Sequence, residues 1–340
     1  MMATTDFPTL FAALDDAARG SGFDGVVSID VDGDLVGARA YGFADRAYGV
    51  VNTVDTRFGV ASIAKGFTAV AVRALIRDGV LAADTTVRGI LRDDLPLIDD
   101  AVTVEQLLAH TSGIGDYLDE SGDGEITDYV LDVPTHRLDT TEAFLAVLDG
   151  RPQVSSPGTT FAYNNSGYVV LALIAERASG IPFHDLVAER VFAPAGMTRT
   201  GYLRMDTLLG DAARGYLFDG KDDRTNVLHL PVRGSGDGGV YTTAADLSRF
   251  WRALTDGTLL PTDAVHDLVR PRETVDDEDL RYGAGFWLDL DGPGILLEGY
   301  DAGVSGRSRF DPETRVTVSI LANTSEGAWP VIRRYAELLD

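Results

Sequence analysis

The sequence predicts an α/β (α+β) fold in which a central antiparallel sheet is flanked by helices and carries an inserted, mainly helical lobe. Alternating apolar residues near the N-terminus indicate a hairpin, and further strand-like segments occur near the C-terminus, between 294 and 323. The chain from about 80 to 235 shows helical spacing of apolar residues instead. Strands from both chain ends are therefore expected to form one sheet.

The first predicted elements are a helix and a hairpin. Apolar residues at helical spacing predict a helix over 7–19. Residues 25–45 alternate between apolar and polar on both sides of Asp32-Gly33, a dipeptide typical of a two-residue β-turn. The segment "DVDGD" also resembles the start of a calcium loop, but no glutamate follows at the spacing that such a loop requires. A hairpin is the preferred interpretation.

Helices are predicted through the middle of the chain and at its C-terminus. Thr103 and Gln106 form a capping-box pattern, and Thr243 and Asp246 form a second capping pair. Another helix begins near Ser62. The predicted helices cover 62–79, 103–110, 141–148, 167–179, 183–192, 242–254 and 329–339.

We expect a single domain over residues 1–340. A lobe of sheet and helices would cover 1–80 and 236–340, and a mainly helical lobe would cover 81–235. The chain has no cysteine, which excludes disulfides, a thiol nucleophile and thiolate metal sites. Its five histidines lack a metal-ligand spacing, so neither a metal nor a cofactor is expected.

The composition is that of a globular protein with a strongly acidic surface. Of 340 residues, 53 are acidic and 29 are basic, which gives a formal net charge of -24. Such a surface repels nucleic acids and anionic membranes, so neither is an expected partner. The 41 aspartates and two lysines favour salt adaptation, although a GC-rich genome would also deplete lysine codons.

The predicted location is cytoplasmic. No apolar run is long enough to span a membrane, and the N-terminus lacks the pattern of a signal peptide. Secretion stays open if a leader has been removed, and the sequence leaves the oligomeric state open as well.

One of the two lysines lies in an apolar, helix-patterned segment, "GVASIAKGFTAVAVRAL". Ser62 and Lys65 are three residues apart, so a helix places the hydroxyl and the amine on one face. The apolar neighbours predict burial, and desolvation would lower the pKa of the lysine towards the neutral amine. A neutral amine beside a hydroxyl is a general base beside a nucleophile, and the helix N-terminus offers N–H groups to an oxyanion. The alternative is a lysine that reaches solvent and a serine that only caps the helix.

The segment "SPGTTFAYNNSGY" supplies the other groups that such a pair requires. Tyr163 and Asn165 precede a predicted helix, and both side chains can project to the same side. Tyr163 is suited to pass a proton to a leaving group, and Asn165 is suited to hold a substrate carbonyl. By itself this pair is a weak signal, because turns are rich in tyrosine and asparagine.

These motifs resemble those of the penicillin-recognising serine hydrolases, which include class C β-lactamases, D-alanyl-D-alanine carboxypeptidases, D-aminopeptidases and family VIII esterases. The resemblance covers most of the chain and implies a β-lactamase/transpeptidase-like fold. It implies Ser62 as the nucleophile, Lys65 and Tyr163 as the acid/base pair, and Asn165 as a substrate contact. His110, in "HTSG", is expected to be structural. The matching segments are "SIAK", "LLAHTSGIGDY", "PGTTFAYNNSGY", "VFAPAGMTRTGY" and "GGVYTTAADLSRF".

The third motif of the family, a lysine or histidine followed two residues later by glycine, is altered in this chain. The matching residues are Tyr300, Asp301 and Ala302, which are the expected substrate contacts on that strand. The resemblance implies that the N–H groups of Ser62 and Gly303 form the oxyanion hole. In relatives that act on peptides or β-lactams, the cation of this strand helps to bind the carboxylate of the substrate. Its loss predicts hydrolysis of a neutral or cationic small-molecule ester or amide.

The residues leave several alternatives open. Arg307 and Arg309 are close enough in sequence to supply a replacement cation. The alternative activity is that of a β-lactamase, a D-alanyl-D-alanine carboxypeptidase or a D-aminopeptidase, and the alternative of another class is a catalytically inactive binding protein on the same fold.

The segment "GSGDGG" (234–239) fits a dinucleotide-binding pattern only formally, because no helix follows it directly. A mobile loop beside the cleft is the expected structure there.

Overall fold

The structure of the protein is a computed structural model that describes residues 6–119, 124–218 and 224–339. Lys221 lies outside these ranges. The N-terminal part contains α1 (Phe7–Ser21), β1 (Gly25–Val31), β2 (Asp34–Tyr41), β3 (Phe43–Asp45), β4 (Val50–Val51) and β5 (Phe58–Gly59). Strands β1 and β2 form the predicted hairpin. Asp32 and Gly33 have φ values of 55° and 84° in its turn, a conformation that glycine and aspartate tolerate better than most residues.

The middle of the chain is mainly helical. The predicted capping box is present, because the side chain of Thr103 accepts from the Gln106 N–H and the side chain of Gln106 accepts from the Thr103 N–H. Two predicted helices are less regular than expected, since 141–144 is a 3₁₀ turn and 188–192 is a π turn. The α-helices here are α2 (Ala64–Arg77), α3 (Val87–Leu91), α4 (Val104–Leu108), α5 (Leu145–Leu148), α6 (Asn165–Ser179) and α7 (Phe183–Val187).

The C-terminal part supplies most of the strands. It contains β6 (Tyr241–Thr242), α8 (Ala244–Thr255), α9 (Thr262–Leu268), β7 (Glu273–Val275), β8 (Leu280–Tyr282), β9 (Trp287–Asp289), β10 (Ile295–Asp301), β11 (Val304–Phe310), β12 (Val316–Ala322) and α10 (Trp329–Ala336). The sequence analysis did not predict β7, β8 and β9. Each has only three residues, too few for an alternating pattern to stand out.

Strands from both ends of the chain form one antiparallel sheet of eight strands, in the order β2-β1-β12-β11-β10-β9-β8-β7. The junction between the two chain ends is the pairing of β1 with β12. All seven residues of β12 are buried, because helices cover both faces of the sheet at this point. Helices α1 and α10 pack on one face, against residues such as Val27 and Val318. Helices α2 and α8 lie on the other face, with Val26 and Leu321.

The start of α2 is positioned by a close approach to β10. A Cβ built on Gly299 of β10 would lie 2.1 Å from the backbone oxygen of Val60, so only glycine allows this contact. Strand β5 leads into the turn before α2 and pairs with β6. The chain just before α2 is therefore held between β10 and β6. The division into two lobes at 80 and 235 stays a prediction.

In the described part of the chain, no helix combines the length and the apolar character that crossing a membrane requires.

Candidate active site

Lys65 is buried to 2% exposure, and its Nζ atom has three polar neighbours. It lies 2.7 Å from Ser62 Oγ, 2.8 Å from Asn165 Oδ1 and 3.1 Å from the backbone oxygen of Asp237. It also lies 4.8 Å from the centroid of the Tyr163 ring. The lysine therefore does not extend into solvent, and the residues singled out from two distant motifs surround one amine.

Ser62 lies in a strained turn just before α2 rather than inside the helix. Residues Ala61–Ile63 form a 3₁₀ turn, and α2 begins at Ala64. Ala61 has a φ of 43°, a left-handed conformation that costs a residue other than glycine about 1–3 kcal/mol. Packing of Val60 under Gly299 holds this turn in place. Ser62 is therefore half-buried, and Lys65 lies beside it, one helical turn later in the chain.

Asp116 fixes the backbone that carries Asn165. Its carboxylate accepts hydrogen bonds from the N–H groups of Asn165 and Ser166, both at 2.8 Å. Burial raises the pKa of Asp116 to about 6, although these backbone hydrogen bonds act in the opposite direction. The Asn165 side chain is held at both ends, because its Oδ1 accepts from Lys65 and its Nδ2 donates to the Leu118 oxygen. Its expected role as a substrate contact stays a prediction, and its clearest contact here is with the lysine.

His110 holds in place the same segment, which contains Asn164 and Asn165. Its Nδ1 accepts the Asn164 N–H at 3.0 Å, which leaves the Nε2 hydrogen to be donated to the Tyr282 hydroxyl at 3.1 Å. Burial, together with the charge of Lys65, holds the pKa of His110 well below its usual value. A neutral, fully enclosed imidazole of this kind is structural, as the sequence analysis expected.

The ring of Tyr163 is fixed by aromatic neighbours. The His110 ring lies 4.4 Å away between centroids, and the Trp287 ring stacks at 5.8 Å with an interplanar angle of 16°. The phenol therefore has one defined position close to Lys65, on the same side of the molecule as Ser62. Trp287 lies on β9, one of the strands that the sequence analysis missed.

Residues 234–239 form the loop beside the cleft that the sequence predicted, and this loop is tightly packed against its neighbours. Residues 234–237 are buried, and the carbonyl groups of the segment accept from three side chains. Thr68 donates to Gly236 at 2.6 Å and Lys65 donates to Asp237 at 3.1 Å. His184 Nε2 lies 2.8 Å from the Gly234 oxygen. The glycines are explained by packing, since a Cβ on Gly236 would lie 2.1 Å from the Tyr168 oxygen.

The third-motif strand presents Asp301, and not Tyr300, to the cleft. The Tyr300 hydroxyl donates to Glu326 at 2.7 Å, and its ring packs near Trp329. Side chains alternate along a strand, so Asp301 shares the face of Gly299, which lies against the turn before Ser62. Asp301 accordingly lines a cleft beside Ala61. The expected substrate contact by Tyr300 is therefore corrected.

Gly303 does not direct its amide into the cleft. Its N–H donates to Ser325 Oγ at 2.8 Å, in a buried position. Ala302 and Gly303 form the two-residue turn between β10 and β11, because Asp301 pairs with Val304. Ala302 is 1% exposed, and its oxygen accepts from Asn226 Nδ2. The tight turn explains why the expected oxyanion donor at 303 and the expected contact at 302 are turned inwards.

Neither arginine after this turn replaces the missing cation. The Nε of Arg307 donates to Glu298 Oε2 at 2.5 Å. Arg309 is 7% exposed and forms two hydrogen bonds with the carboxylate of Asp289. Both guanidinium groups are therefore paired with carboxylates, one on β10 and one on β9.

Within residues 6–119, 124–218 and 224–339, no group of three or more acidic or histidine side chains is arranged to hold a metal ion.

Sequence reasoning missed several residues around the site. Asp116 and Tyr117 end the quoted segment "LLAHTSGIGDY", and Asp237 lies in the glycine-rich segment "GSGDGG", but the sequence analysis gave none of the three a role. For Asp237, the position between two glycines was the available signal. No sequence signal marked Trp287 and Tyr282 as aromatic support, because the strands that carry them are too short to recognise.

The chain belongs to the β-lactamase family, since the family model described as "Beta-lactamase" matches residues 11–340. A solved structure, a penicillin-binding protein from Bacillus halodurans, is similar with a TM-score of 0.89 and 36% identity. That match covers 96% of this chain and 99% of the other. The fold predicted from the resemblance is therefore confirmed.

Curated relatives have varied names. The chain is 30% identical to the putative penicillin-binding protein PbpX of Bacillus subtilis over 78% of its length. It is 34% identical to esterase EstB of Burkholderia gladioli over 57% of its length, which is 51% of that protein. It is 28% identical to D-aminopeptidase of Brucella canis over 90% of its length, which is 57% of that protein. The match to PbpX spans 62% of that relative's length.

Proposed function

We propose that the protein is a serine hydrolase that cleaves small esters or amides through an acyl-enzyme. The observation that carries this proposal is the 2.7 Å contact between Ser62 Oγ and the buried amine of Lys65. Membership of the β-lactamase family supports it, as do relatives named as an esterase and a D-aminopeptidase.

Hydrogen-bond geometry supports Lys65 as the base in acylation. Asn165 Oδ1 and the Asp237 oxygen can only accept hydrogen bonds, so an uncharged amine would donate its two hydrogens to them. Its lone pair would then face the Ser62 hydroxyl. Ser62 Oγ attacks the carbonyl carbon and its proton passes to Lys65. The amine and Tyr163 deliver that proton to the leaving alcohol or amine as the bond to the carbonyl breaks.

Deacylation reverses this proton path. Water, activated mainly by Tyr163, attacks the acyl carbon, and the departing Ser62 Oγ recovers a proton from the Lys65 side. The Ser62 N–H is the proposed oxyanion donor, because the left-handed turn at Ala61 sets the direction of this amide. The products are the free acid and an enzyme in its starting state.

The cleft favours substrates without a carboxylate near the reacting carbonyl. Asp301 lines it, and the two nearby arginines are paired elsewhere. A substrate carboxylate would meet an acidic wall, whereas neutral and cationic substrates would not be repelled. We therefore place esters and amides of neutral or cationic acids ahead of β-lactams and D-alanyl-D-alanine peptides.

The test is turnover of p-nitrophenyl butyrate by the wild type and by Ser62→Ala. We expect loss of activity by about 10³-fold or more in the variant, because the acyl-enzyme can no longer form. Intact-mass analysis after exposure to a fluorophosphonate should show one adduct in the wild type and none in Ser62→Ala. Equal turnover by both proteins would refute the assignment.

The same assays separate the alternatives. Turnover of nitrocefin that is much faster than that of short esters would indicate a β-lactamase, and preference for D-alanyl amides would indicate a D-peptidase. A folded protein with no Ser62 adduct and no turnover would indicate a binding protein.

We also propose that the acidic surface is an adaptation to salt and that the protein acts in the cytoplasm. Charges of one sign repel one another at low ionic strength, and salt screens that repulsion. The melting temperature should therefore rise between low and molar KCl. A melting temperature that does not rise would count against salt adaptation.

A further inference from the structure

A buried carboxylate belongs to the loop that contacts the amine of Lys65. The backbone oxygen of Asp237 accepts from Lys65 Nζ at 3.1 Å, and the same residue is buried together with its side chain. Burial raises the pKa of Asp237, whereas the charge of Lys65 and the hydrogen bond from Tyr117 act in the opposite direction. The proposed acylation uses only the backbone oxygen of this residue, so its carboxylate has no assigned role there.

Tyr117 holds this carboxylate in one position. The tyrosine is buried, and its hydroxyl donates to Asp237 Oδ2 at 2.5 Å. The backbone oxygen of the next residue, Leu118, accepts from Asn165 Nδ2 at 3.0 Å. Two neighbouring residues therefore anchor both of the residues whose oxygens accept from Lys65, since Leu118 holds Asn165 and Tyr117 holds Asp237.

The electrostatic interaction between Lys65 and Asp237 is mutual. Since the positive charge of Lys65 favours the carboxylate form of Asp237, the carboxylate favours the ammonium form of Lys65 by the same free energy. Both residues are buried, and screening by water is weaker there than at the surface. The charge of Asp237 therefore affects how readily Lys65 takes up a proton.

Other titratable groups face the amine of Lys65 from several elements. Tyr168 lies on α6, Tyr282 on β8, His110 just after α4 and Tyr163 just before α6. Burial lowers the pKa of His110 and raises the pKa of Tyr168 and of Tyr282, so these three groups are neutral at neutral pH. They therefore place no charge beside the amine.

The carboxylate of Asp237 faces two tyrosines. Tyr117 donates a hydrogen bond to it, and its charge also acts on Tyr202. Burial raises the pKa of both phenols, so both stay protonated at neutral pH. The charges of Asp116 and Asp301 act on Tyr117 as well. Because all these groups are shared by variants that differ only at position 237, a difference between such variants reports the change at 237 itself.

We propose that Asp237 is a positioning residue for the reaction of Ser62, because its carboxylate stabilises the ammonium form that Lys65 adopts during acylation. As Ser62 Oγ bonds to the substrate carbon, its proton passes to Lys65 Nζ and an electron pair moves onto the carbonyl oxygen. The ammonium group then lies near a fixed negative charge until its proton is delivered to the leaving group. The catalytic part of this inference rests on the proposed function, whereas the coupling between amine and carboxylate can be measured without catalysis.

The direct test is a titration of the amine by NMR. The chain has two lysines, so lysine labelled with carbon-13 at Cε gives two signals, and Lys65→Met identifies the signal of Lys65. Asp237→Asn keeps an acceptor for the Tyr117 hydroxyl but removes the charge, so the midpoint of the Lys65 titration should fall by about one pH unit. A loosened loop would instead let water reach the amine, which favours the ammonium form and raises the midpoint. An unchanged or raised midpoint would overturn the proposal.

Three further variants separate the charge from packing. Tyr117→Phe removes the hydrogen bond but leaves the carboxylate, so the midpoint should change by less than about 0.3 pH units. Asp237→Ala is a second neutral variant, which leaves no amide N–H to be satisfied in the loop and should give the same fall if Asp237→Asn does not fold. Asp263→Asn is the matched control, because it removes an exposed carboxylate on α9 and should leave the midpoint unchanged. A fall in Tyr117→Phe or Asp263→Asn as large as that in Asp237→Asn would refute the proposal.

Turnover of p-nitrophenyl butyrate links the coupling to catalysis. At a pH above the midpoint of each protein, kcat/KM should be about tenfold lower in Asp237→Asn than in the wild type, because a weaker base takes up the serine proton less readily. Full activity of Asp237→Asn with a lowered midpoint would overturn the positioning role while the proposed function stands. A lowered midpoint in a protein whose Ser62 is unreactive would refute the proposed function, and only the coupling between the two side chains would remain.

Discussion

The pocket around Lys65 and the turn at 301–304 are both linked to the cleft beside Ala61, the first through Asp237 and the second through Asp301, but they differ in charge. In the first, one amine is enclosed by the Ser62 hydroxyl, the Asn165 amide oxygen and a backbone carbonyl. In the second, Asp301 lies where the resemblance to the family implied a cation, and the Gly303 amide is used to hold the turn. The difference suggests that reaction chemistry and substrate charge preference are set by separate parts of the molecule.

The largest expected effect is in the Lys65 pocket. Lys65→Met keeps the length and apolar stem of the side chain but removes the amine, so turnover of p-nitrophenyl butyrate should fall by about 10³-fold or more. Circular dichroism and thermal melting should show a folded protein. Activity within tenfold of the wild type would mean that the amine is not the base.

The next effect concerns Asp116, which holds the Asn165 turn in that pocket. An amide in its place has one acceptor oxygen instead of two, so Asp116→Asn should reduce kcat/KM by about tenfold. In the wild type, the carboxyl takes up a proton as the pH falls through about 6, so activity should decline there. The variant should lack this acid limb, as measured by a pH–rate profile.

Protonation of Asp116 is expected to lower the activity but to raise the stability of the folded protein. The folded-state pKa of Asp116 is raised from 3.8 to about 6, so the neutral carboxyl favours the folded state. This contribution is present at low pH and is lost as the pH rises from about 4 to above 6. If the pH–rate profile of Asp116→Asn shows the same acid limb as that of the wild type, a group other than Asp116 controls the decline in activity.

A smaller effect tests the altered turn. Asp301→Asn should improve kcat/KM for a p-nitrophenyl ester with a carboxylate-ended chain by about tenfold relative to p-nitrophenyl butyrate at low ionic strength. The improvement should shrink in molar KCl, because salt screens partly exposed charges. An unchanged ratio at low salt would show that Asp301 does not set the charge preference.

The smallest effect is expected at Arg307. Since its guanidinium is paired with Glu298, Arg307→Gln should change the same substrate ratio by less than about twofold. A large loss confined to the carboxylate-ended ester would identify Arg307 as the substituted cation and would remove the contrast between the two regions.

Local sequence patterns predicted the N-terminal hairpin, the capping box at Thr103 and the Ser62–Lys65 contact. These depend on neighbours within four residues, where helix and turn geometry place side chains without further information. The three-residue strands β7 to β9 and the aromatic support of Tyr163 could not be predicted, because they depend on packing between distant segments.

The sequence by itself determined which residue types are present for the chemistry: one buried lysine, a serine three positions before it, and a tyrosine in a distant turn. Only the tertiary structure decided which groups are left for a substrate. It turned Tyr300 towards Glu326, directed the Gly303 amide to Ser325 and placed Asp301 in the cleft with Asp237. The physical reason is that a two-residue β-turn and the alternation of a strand fix side-chain directions, and these follow from strand pairing in three dimensions.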